Sequence, residues 1–558
     1  MLRFGLLAAL FAGNPLLYAW WQTTGGLFPD SLAYLMLARE LIQSGQLFIS
    51  GYGHVDAGLI LPPLYPLLIG VGTIIYGDAI LVSQWLSGLC LLLATIPLFL
   101  WVQRATNVWL AAAATALVQW QPVYFLYGTS TLTEGLFLLG VCTLGFAAAC
   151  LTSAQRSHAW YFLLGLGACL LFLVRQLGLF MLPLLIVLIV LQRWLGPADQ
   201  EDTRPPWTRI AAILAGFSVL AVPYAVLLYV QSSQLPWTPS FRLNQYVVTE
   251  SSPGGAEPVP TAMPTSYTDA LIERRKQRAL NVDGTEMLGN LIREPRTRLS
   301  LLDRIASPAE WIRNVWRNLE HGTALLGPAA MLAAAVGALL SFRVGASLPA
   351  RASRIALVGT VGAYLGLVSA LTGLVARYVE VIAPLVIALG FVGVHELIRS
   401  IAPRRLLDTT PFWIAIALCS PVLFPVSDPA SGGAKVRKYG ETTNPVVHCV
   451  PLVDKGSGVF AFHPYEAYIL GGSYRVIPND SLDRVATYAR RTGTRWLVFR
   501  DSATSLQEAI LYDRATWVAD PGELFTNANF IPRCKAPDSA TVLFEIADTP
   551  AARDGPRS

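Results

Sequence analysis

The chain has 558 residues, of which 54% are hydrophobic and only 14% charged, with a mean hydropathy of +0.49. That composition excludes an ordinary soluble globular protein and fits a polytopic membrane protein with room for one soluble domain. The net charge of +5 is small for this length, and no basic stripe with interleaved aromatics is present, so a nucleic-acid partner is not expected.

Met1-Leu-Arg-Phe-Gly-Leu-Leu-Ala-Ala-Leu10 has the look of a signal peptide. Asn14-Pro-Leu-Leu-Tyr-Ala-Trp-Trp21 continues the apolar run, however, and the two together read as an uncleaved first span near 4–21. Directly after it comes Phe28-Pro-Asp-Ser-Leu-Ala-Tyr-Leu-Met-Leu-Ala-Arg-Glu-Leu-Ile-Gln-Ser-Gly45. Asp30 and Ser31 can cap a helix whose end Gly45 marks. On that helix Asp30, Tyr34 and Ala38 share one face. Next, Leu61-Pro-Pro-Leu-Tyr-Pro-Leu-Leu-Ile-Gly70 is apolar but too short to cross a bilayer comfortably.

Further spans are predicted near 79–101, 108–127, 135–151, 159–174, 177–192, 209–230, 323–342, 355–375, 379–397 and 411–426. Arg104, Arg156 with His158, Arg193 with Arg204 and Arg209, Arg343 with Arg351 and Arg354, and Arg399 with Arg404 and Arg405 fall in alternate connections, which are therefore the cytoplasmic ones. The alternation works only if 62–76 does not cross, so that segment reads as an interfacial or re-entrant helix. The expected architecture is a polytopic α-helical protein of about eleven transmembrane helices, N-terminus inside.

The outer connections are then 22–78, 128–134, 175–176, 231–322, 376–378 and the region beyond 426. The long 231–322 loop opens on Ser251-Ser-Pro-Gly-Gly-Ala-Glu-Pro-Val-Pro260 and continues with helical text over 267–280 and 299–319. Trp311 and Trp316 suit an interfacial helix. Beyond 427 the composition changes, and a small extracytoplasmic α/β domain with a flexible tail is expected over 427–558. Strands are predicted at 446–450, 458–462, 494–500, 515–519 and 541–546, with helices at 482–491 and shortly after 500. Cys90, Cys142, Cys150, Cys169 and Cys419 lie inside apolar runs, where cysteine behaves as a small hydrophobe. Cys449 and Cys534 lie in the polar C-terminal region and can form a disulfide if it is extracellular.

The segment from Asp30 to Tyr34, followed by Pro62-Pro-Leu-Tyr-Pro66, resembles the GT-C glycosyltransferases, among them the protein O-mannosyltransferases and the lipid A aminoarabinose transferases. His463-Pro-Tyr-Glu-Ala-Tyr-Ile-Leu-Gly-Gly472 and Arg495-Trp-Leu-Val-Phe499 are similar to C-terminal domains on bacterial members. The resemblance implies a donor sugar on a polyprenyl phosphate, an acceptor that is a lipid, glycan or protein, and a bacterial cytoplasmic-membrane location with contacts to membrane lipids. Such a transfer needs a carboxylate to take the acceptor proton and cations to stabilise the departing phosphate.

Asp30 is the candidate base, the structural alternative being a helix cap. Glu134, in Tyr127-Gly-Thr-Ser-Thr-Leu-Thr-Glu-Gly-Leu-Phe137, is the second acid, or else a helix-start glutamate favoured by the macrodipole. Arg377, in Thr372-Gly-Leu-Val-Ala-Arg-Tyr-Val-Glu-Val-Ile-Ala-Pro384, falls on the outer side against the charge bias, and a lipid phosphate explains it. Arg175, in Leu173-Val-Arg-Gln-Leu-Gly178, resembles a family turn but can equally be a snorkelling anchor. Tyr34, Tyr65 and Tyr378 join the substrate-binding set. Asp56 and His54 could complete a divalent-metal site with Asp30. Against that, Gly58-Leu-Ile-Leu61 stands where some relatives carry an acid before the Pro-Pro motif. No other cofactor is implied. The competing classes are a transporter or flippase of a lipid-linked substrate and an inactive relative acting as an assembly partner. A transporter predicts mid-membrane ionisable residues or two related halves, and the sequence has neither.

Overall fold

The computed structural model describes residues 2–19, 29–49, 59–150, 157–195, 206–232, 286–287, 308–342, 347–371, 379–407, 409–423, 445–461, 464–500, 517, 521–535 and 541–548. The chain divides into two compact units. The first holds Met1–Leu47, Leu61–Val247 and Leu299–Gly440; the second holds Phe48–Ile60, Val248–Arg298 and Glu441–Ser558.

The first unit is helical. Its helices are α1 (Leu2–Ala12), α2 (Pro15–Ala19), α3 (Pro29–Gln43), α4 (Leu64–Tyr76), α5 (Ala79–Ala105), α6 (Val108–Gln119), α7 (Pro122–Gly128), α8 (Glu134–Ala149) and α9 (His158–Val174). They continue with α10 (Met181–Leu195), α11 (Pro206–Ser232), α12 (Pro308–Leu326), α13 (Pro328–Leu340), α14 (Leu348–Leu371), α15 (Ala383–Ile401) and α16 (Thr410–Leu423). Among the described residues, four stretches are long and apolar enough to cross a membrane: Ala79–Ala105, Pro206–Gln231, Leu348–Ser369 and Ala383–Ile401. Side-chain caps set two of the starts. Asp78 Oδ1 accepts from the amides of Ile80 and Leu81 ahead of α5, and Asn107 Oδ1 accepts from those of Trp109 and Leu110 ahead of α6.

Four predicted spans are interrupted where the sequence reading ran them through. The first breaks between α1 and α2, and that near 108–127 breaks between α6 and α7. The one near 177–192 opens as a 3₁₀ turn over Gln176–Phe180, and that near 323–342 is cut at Gly327. Pro15, Pro122 and Pro328 each begin a new helix, because proline lacks the amide that would continue the preceding one. Gly327 has φ +86°, a turn conformation that a side chain would disfavour. By contrast, α4 is a single helix of 13 residues, about 20 Å long at 1.5 Å per residue and short of a bilayer core. It leaves Leu67, Val71, Ile74 and Ile75 exposed, as an interfacial helix would.

Close backbone approaches fix how these helices cross. A Cβ at Gly165 would lie 1.9 Å from the carbonyl oxygen of Ile213, and one at Gly216 would lie 2.0 Å from that of Phe162, so α9 and α11 touch backbone to backbone. At the end of the bundle where α5 finishes, Arg354 of α14 donates through Nε to the carbonyl of Ala105 (2.9 Å) and pairs with Glu396 of α15 (2.7 Å). His395 stacks there on Trp413 of α16.

In the second unit a five-stranded mixed sheet runs in the order β5 (Ser473–Val476), β4 (Gly458–Ala461), β7 (Thr494–Arg500), β9 (Thr541–Ile546), β8 (Phe530–Lys535). β4 is parallel to both its neighbours, and β9 is antiparallel to both of its own. Alternation along β7 buries both faces: Leu497 and Phe499 pack with Leu482, Val485 and Ala489 of the Leu482–Thr492 helix. Trp496 and Val498 pack with Val446, Cys449 and Ala467. Cys449 and Cys534 are disulfide-bonded, Cα to Cα 5.8 Å.

The strand expected at 446–450 is instead a 3₁₀ segment over Pro445–Leu452, since Pro445 and Pro451 interrupt a sheet ladder. β5 and β8 were not expected. Of the strand expected at 515–519 only Trp517 is described, and the helix expected just after 500 lies outside the described residues. The unit also takes in residues assigned by sequence to outer loops. β1 (Phe48–Ile49) pairs with β2 (Leu59–Ile60), and β3 (Glu286–Met287) pairs with β6 (Pro478–Asn479).

Candidate functional site

The site is built where α3, α4, α5 and α8 come together. α3 begins at Pro29, two residues earlier than a cap at Asp30 predicts, so Asp30 and Ser31 lie inside its first turn and not at the cap. Ser31, Ala33, Tyr34, Leu37 and Ala38 are buried. The side chain of Asp30 lies outside the described residues, as do His54, Asp56, Arg377 and Tyr378. α3 and α4 cross at Gly70, where a Cβ would meet Ile42 Cγ1 at 2.5 Å and the Ala38 carbonyl at 3.1 Å. That approach seats the Tyr34 ring edge-on against Tyr65, centroids 5.4 Å apart.

Tyr65 is completely buried, and its hydroxyl lies 2.8 Å from Ser87 Oγ and 3.2 Å from the Ser83 carbonyl. Ser87 donates to the Leu132 carbonyl (2.9 Å), and Ser83 Oγ lies 2.6 Å from Thr131 Oγ1. These hydroxyls, spaced one turn apart on α5, fasten the 129–133 connection to the helix. Gly135 completes the fit, since a Cβ there would lie 2.3 Å from the Ser87 carbonyl oxygen.

This connection delivers Glu134 to the first position of α8. The carboxylate is fully buried, and Oε1 accepts from Arg175 Nη1 at 2.9 Å. Arg175 sits at the end of α9 with extended backbone (φ −155°, ψ 130°) before the 3₁₀ turn, and its guanidinium lies 5.8 Å from the centre of the Phe137 ring. The side chain is 11% exposed, so it retains a little access to what lies outside the bundle. Ser130 Oγ, Thr133 Oγ1 and Gln176 Nε2, on residues flanking the pair in sequence, are buried with no hydrogen-bond partner among the described residues. Orphaned polar atoms of this kind are where a polar ligand or water is accommodated.

A second polar contact joins α7 to the residues ahead of α15. Tyr127 donates to Glu380 Oε2 (2.6 Å), and His321 Nε2 of α12 is 3.7 Å from Glu380 Oε1. The structure thus brings Tyr34, Tyr65, Glu134 and Arg175 into one chain of contacts. The sequence reading missed Ser83, Ser87, Tyr127 and Glu380. Glu380 lay within the quoted Arg-Tyr-Val-Glu stretch; isolated hydroxyls on an apolar helix carry no pattern. No group of three or more His, Cys, Asp or Glu side chains with metal-site geometry occurs among the described residues. The Asp30–Asp56 metal reading concerns side chains outside that set.

Residues 61–223 match the family model described as dolichyl-phosphate-mannose-protein mannosyltransferase. No curated protein matches the chain by sequence. Among solved structures, the archaeal oligosaccharyltransferase AglB from Archaeoglobus fulgidus, in complex with an inhibitory peptide and a dolichol-phosphate, aligns with TM-score 0.55 at 12% identity. That alignment covers 98% of this chain and 74% of AglB. ArnT from Cupriavidus metallidurans aligns in its apo state with TM-score 0.52 at 14% identity, covering 98% of this chain and 99% of ArnT. The ArnT structure bound to undecaprenyl phosphate gives TM-score 0.51 at 12% identity, with 99% of both chains covered. The fold is therefore one that this chain shares with AglB and ArnT.

Proposed function

We propose that this chain, with its GT-C fold, is an inverting glycosyltransferase that moves a sugar from a polyprenyl-phosphate carrier to a lipid, glycan or protein acceptor at the outer face of a membrane. The observation that carries the reading is the Glu134–Arg175 pair, linked through Leu132, Ser87 and Tyr65 to Tyr34, one turn from Asp30. A buried guanidinium held by a carboxylate has a fixed direction, which suits phosphate recognition.

Asp30 is the general base. Its carboxylate takes the proton as the acceptor oxygen attacks the anomeric carbon, and the sugar–phosphate C–O bond breaks on the opposite face. The electron pair leaves with the polyprenyl phosphate, so no general acid is needed. Glu134 cancels the charge of Arg175, and the pair is electrically neutral. The net positive charge for the leaving phosphate then falls to Arg377, with Arg175 adding directed hydrogen bonds. Tyr34 and Tyr378 take part in substrate binding, and Tyr65 positions Tyr34. Should a divalent ion bind, Asp30 and Asp56 would hold it and it would add positive charge beside the phosphate. The topology that accompanies this reading has about eleven crossings, the N-terminus in the cytoplasm, the 231–322 loop on the outer side and the C-terminal domain outside the cytoplasmic membrane of a bacterium.

The test is glycosyl transfer by purified wild-type and Asp30→Asn protein, supplied with a panel of polyprenyl-phosphate sugars and membrane-extract acceptors. Product from wild type alone supports the reading. Undiminished transfer by Asp30→Asn removes the base, and lipid-phosphate binding without product from either protein removes the enzyme.

A further inference from the structure

At the end of the helical unit away from Glu134 lies a pocket of about 460 Å³ lined by Leu2, Arg3, Gln103, Asn107 and Val108. Gln103 is on the last turns of α5, about 24 Å further along that helix than Ser87 at 1.5 Å per residue, so this pocket is separate from the site above. Its size is in the range of small-ligand pockets.

Its chemistry is one-sided. The charge in the lining is the Arg3 guanidinium, which forms no ion pair among the described residues. Asn107 spends Oδ1 on the amides of Trp109 and Leu110, while its Nδ2 is buried without a hydrogen-bond partner among the described residues. α6 begins at Val108 and adds the positive end of a 12-residue helix. The Arg3 guanidinium and the Gln103 side chain share the lining, which contains no carboxylate. This set accepts an anion, and a guanidinium suits a phosphate. Leu2 and Val108 complete the lining with apolar surface, and Leu2 and neighbouring Phe4 are 53% and 79% exposed. A free phosphate ion has no use for that apolar rim, whereas a phospholipid places acyl chains against it.

We propose that this pocket binds the phosphate of an anionic phospholipid headgroup from the leaflet at the Arg104 end of the bundle. The inference does not depend on the enzymatic reading and survives its failure.

The test uses the purified full-length chain and native mass spectrometry with three probes: phosphatidylglycerol, phosphatidylcholine and inorganic phosphate. Wild type should retain phosphatidylglycerol in preference to phosphatidylcholine. Arg3→Gln, at an exposed position that folding does not need, should weaken that retention about tenfold, the scale of one charge-assisted contact. Gln103→Glu should weaken it as much by placing a carboxylate in the pocket. Arg405→Gln removes one exposed arginine at the same end but outside the lining, and should change nothing. Equal weakening by Arg405→Gln would overturn the pocket in favour of diffuse surface attraction. Equal retention of the two lipids, or displacement of phosphatidylglycerol by inorganic phosphate at comparable concentration, would overturn the lipid assignment.

Discussion

Glu134 and Arg175 form a 2.9 Å ion pair whose carboxylate is wholly shielded from solvent and whose guanidinium is nearly so. The two residues come from opposite sides of a helix–helix contact, one opening α8 and the other closing α9. Their mutual attraction offsets part of the cost of removing both charges from water, and removing one partner forfeits that offset. Glu134→Ala should therefore destabilise the helical unit by about 3–5 kcal/mol. The double variant Glu134→Gln with Arg175→Gln should recover a good part of that loss. Thermal unfolding in detergent measures both, and an unchanged melting temperature for Glu134→Ala would show that the pair holds nothing in place.

The hydroxyls of Tyr65, Ser83 and Ser87 tie α4 and the 129–133 connection to α5. Tyr65→Phe deletes its bonds but leaves Ser87 still donating to the Leu132 carbonyl. The expected loss is about 1 kcal/mol. Ser87→Ala removes both links and leaves the buried Tyr65 hydroxyl with only the longer Ser83 contact, so its loss should be larger, about 2 kcal/mol. Melting temperatures of the two variants check this order, and a reversed order would place the anchor elsewhere.

How much of this was legible in the sequence depends on the range of each interaction. Tyr34, Tyr65, Glu134 and Arg175, which the fold joins by contacts, could be picked out because each sits in a short motif that resembles a known family. The helical character of the span regions followed from apolar run length. What run length did not reveal was where a run breaks: Pro122 and Pro328 look harmless inside apolar text, yet each starts a new helix. The Tyr127–Glu380 bond joins residues 253 apart in sequence, and the pairing of Met287 with Pro478 is equally non-local. No local pattern encodes such contacts, because tertiary packing selects them after the helices and strands exist.

Cys449 and Cys534 close a loop of 85 residues between the 3₁₀ segment at Pro445–Leu452 and strand β8. Cross-linking so long a loop removes unfolded-state entropy worth roughly 4–5 kcal/mol on the chain-entropy model. Cys449→Ser with Cys534→Ser should lower the stability of the C-terminal domain by a large part of that amount. Protease susceptibility of the full chain, read at sites within 445–546, checks it. Identical susceptibility of the variant and the wild type would mean that the two-faced core around Trp496 and Phe499 is sufficient alone.

Glu545 on β9 accepts from Arg495 of β7 (2.7 Å from Nη2) and from Arg533 of β8 (2.7 Å), bridging three adjacent strands. The Arg495 hydrogen bond, with Arg533 adding to it, holds the Glu545 carboxyl below its ordinary value of 4.5. For a carboxyl whose folded pKa is depressed, the stabilisation is complete above the unfolded pKa and disappears as pH falls through the lower folded value. The contribution of Glu545 is therefore intact at neutral pH and fades below about pH 4.5. Glu545→Gln should raise amide hydrogen exchange in β7 and β9 relative to wild type at pH 7, and the gap should be smaller at pH 3. A gap of the same size at both pH values would show that the carboxylate charge is not what joins the three strands.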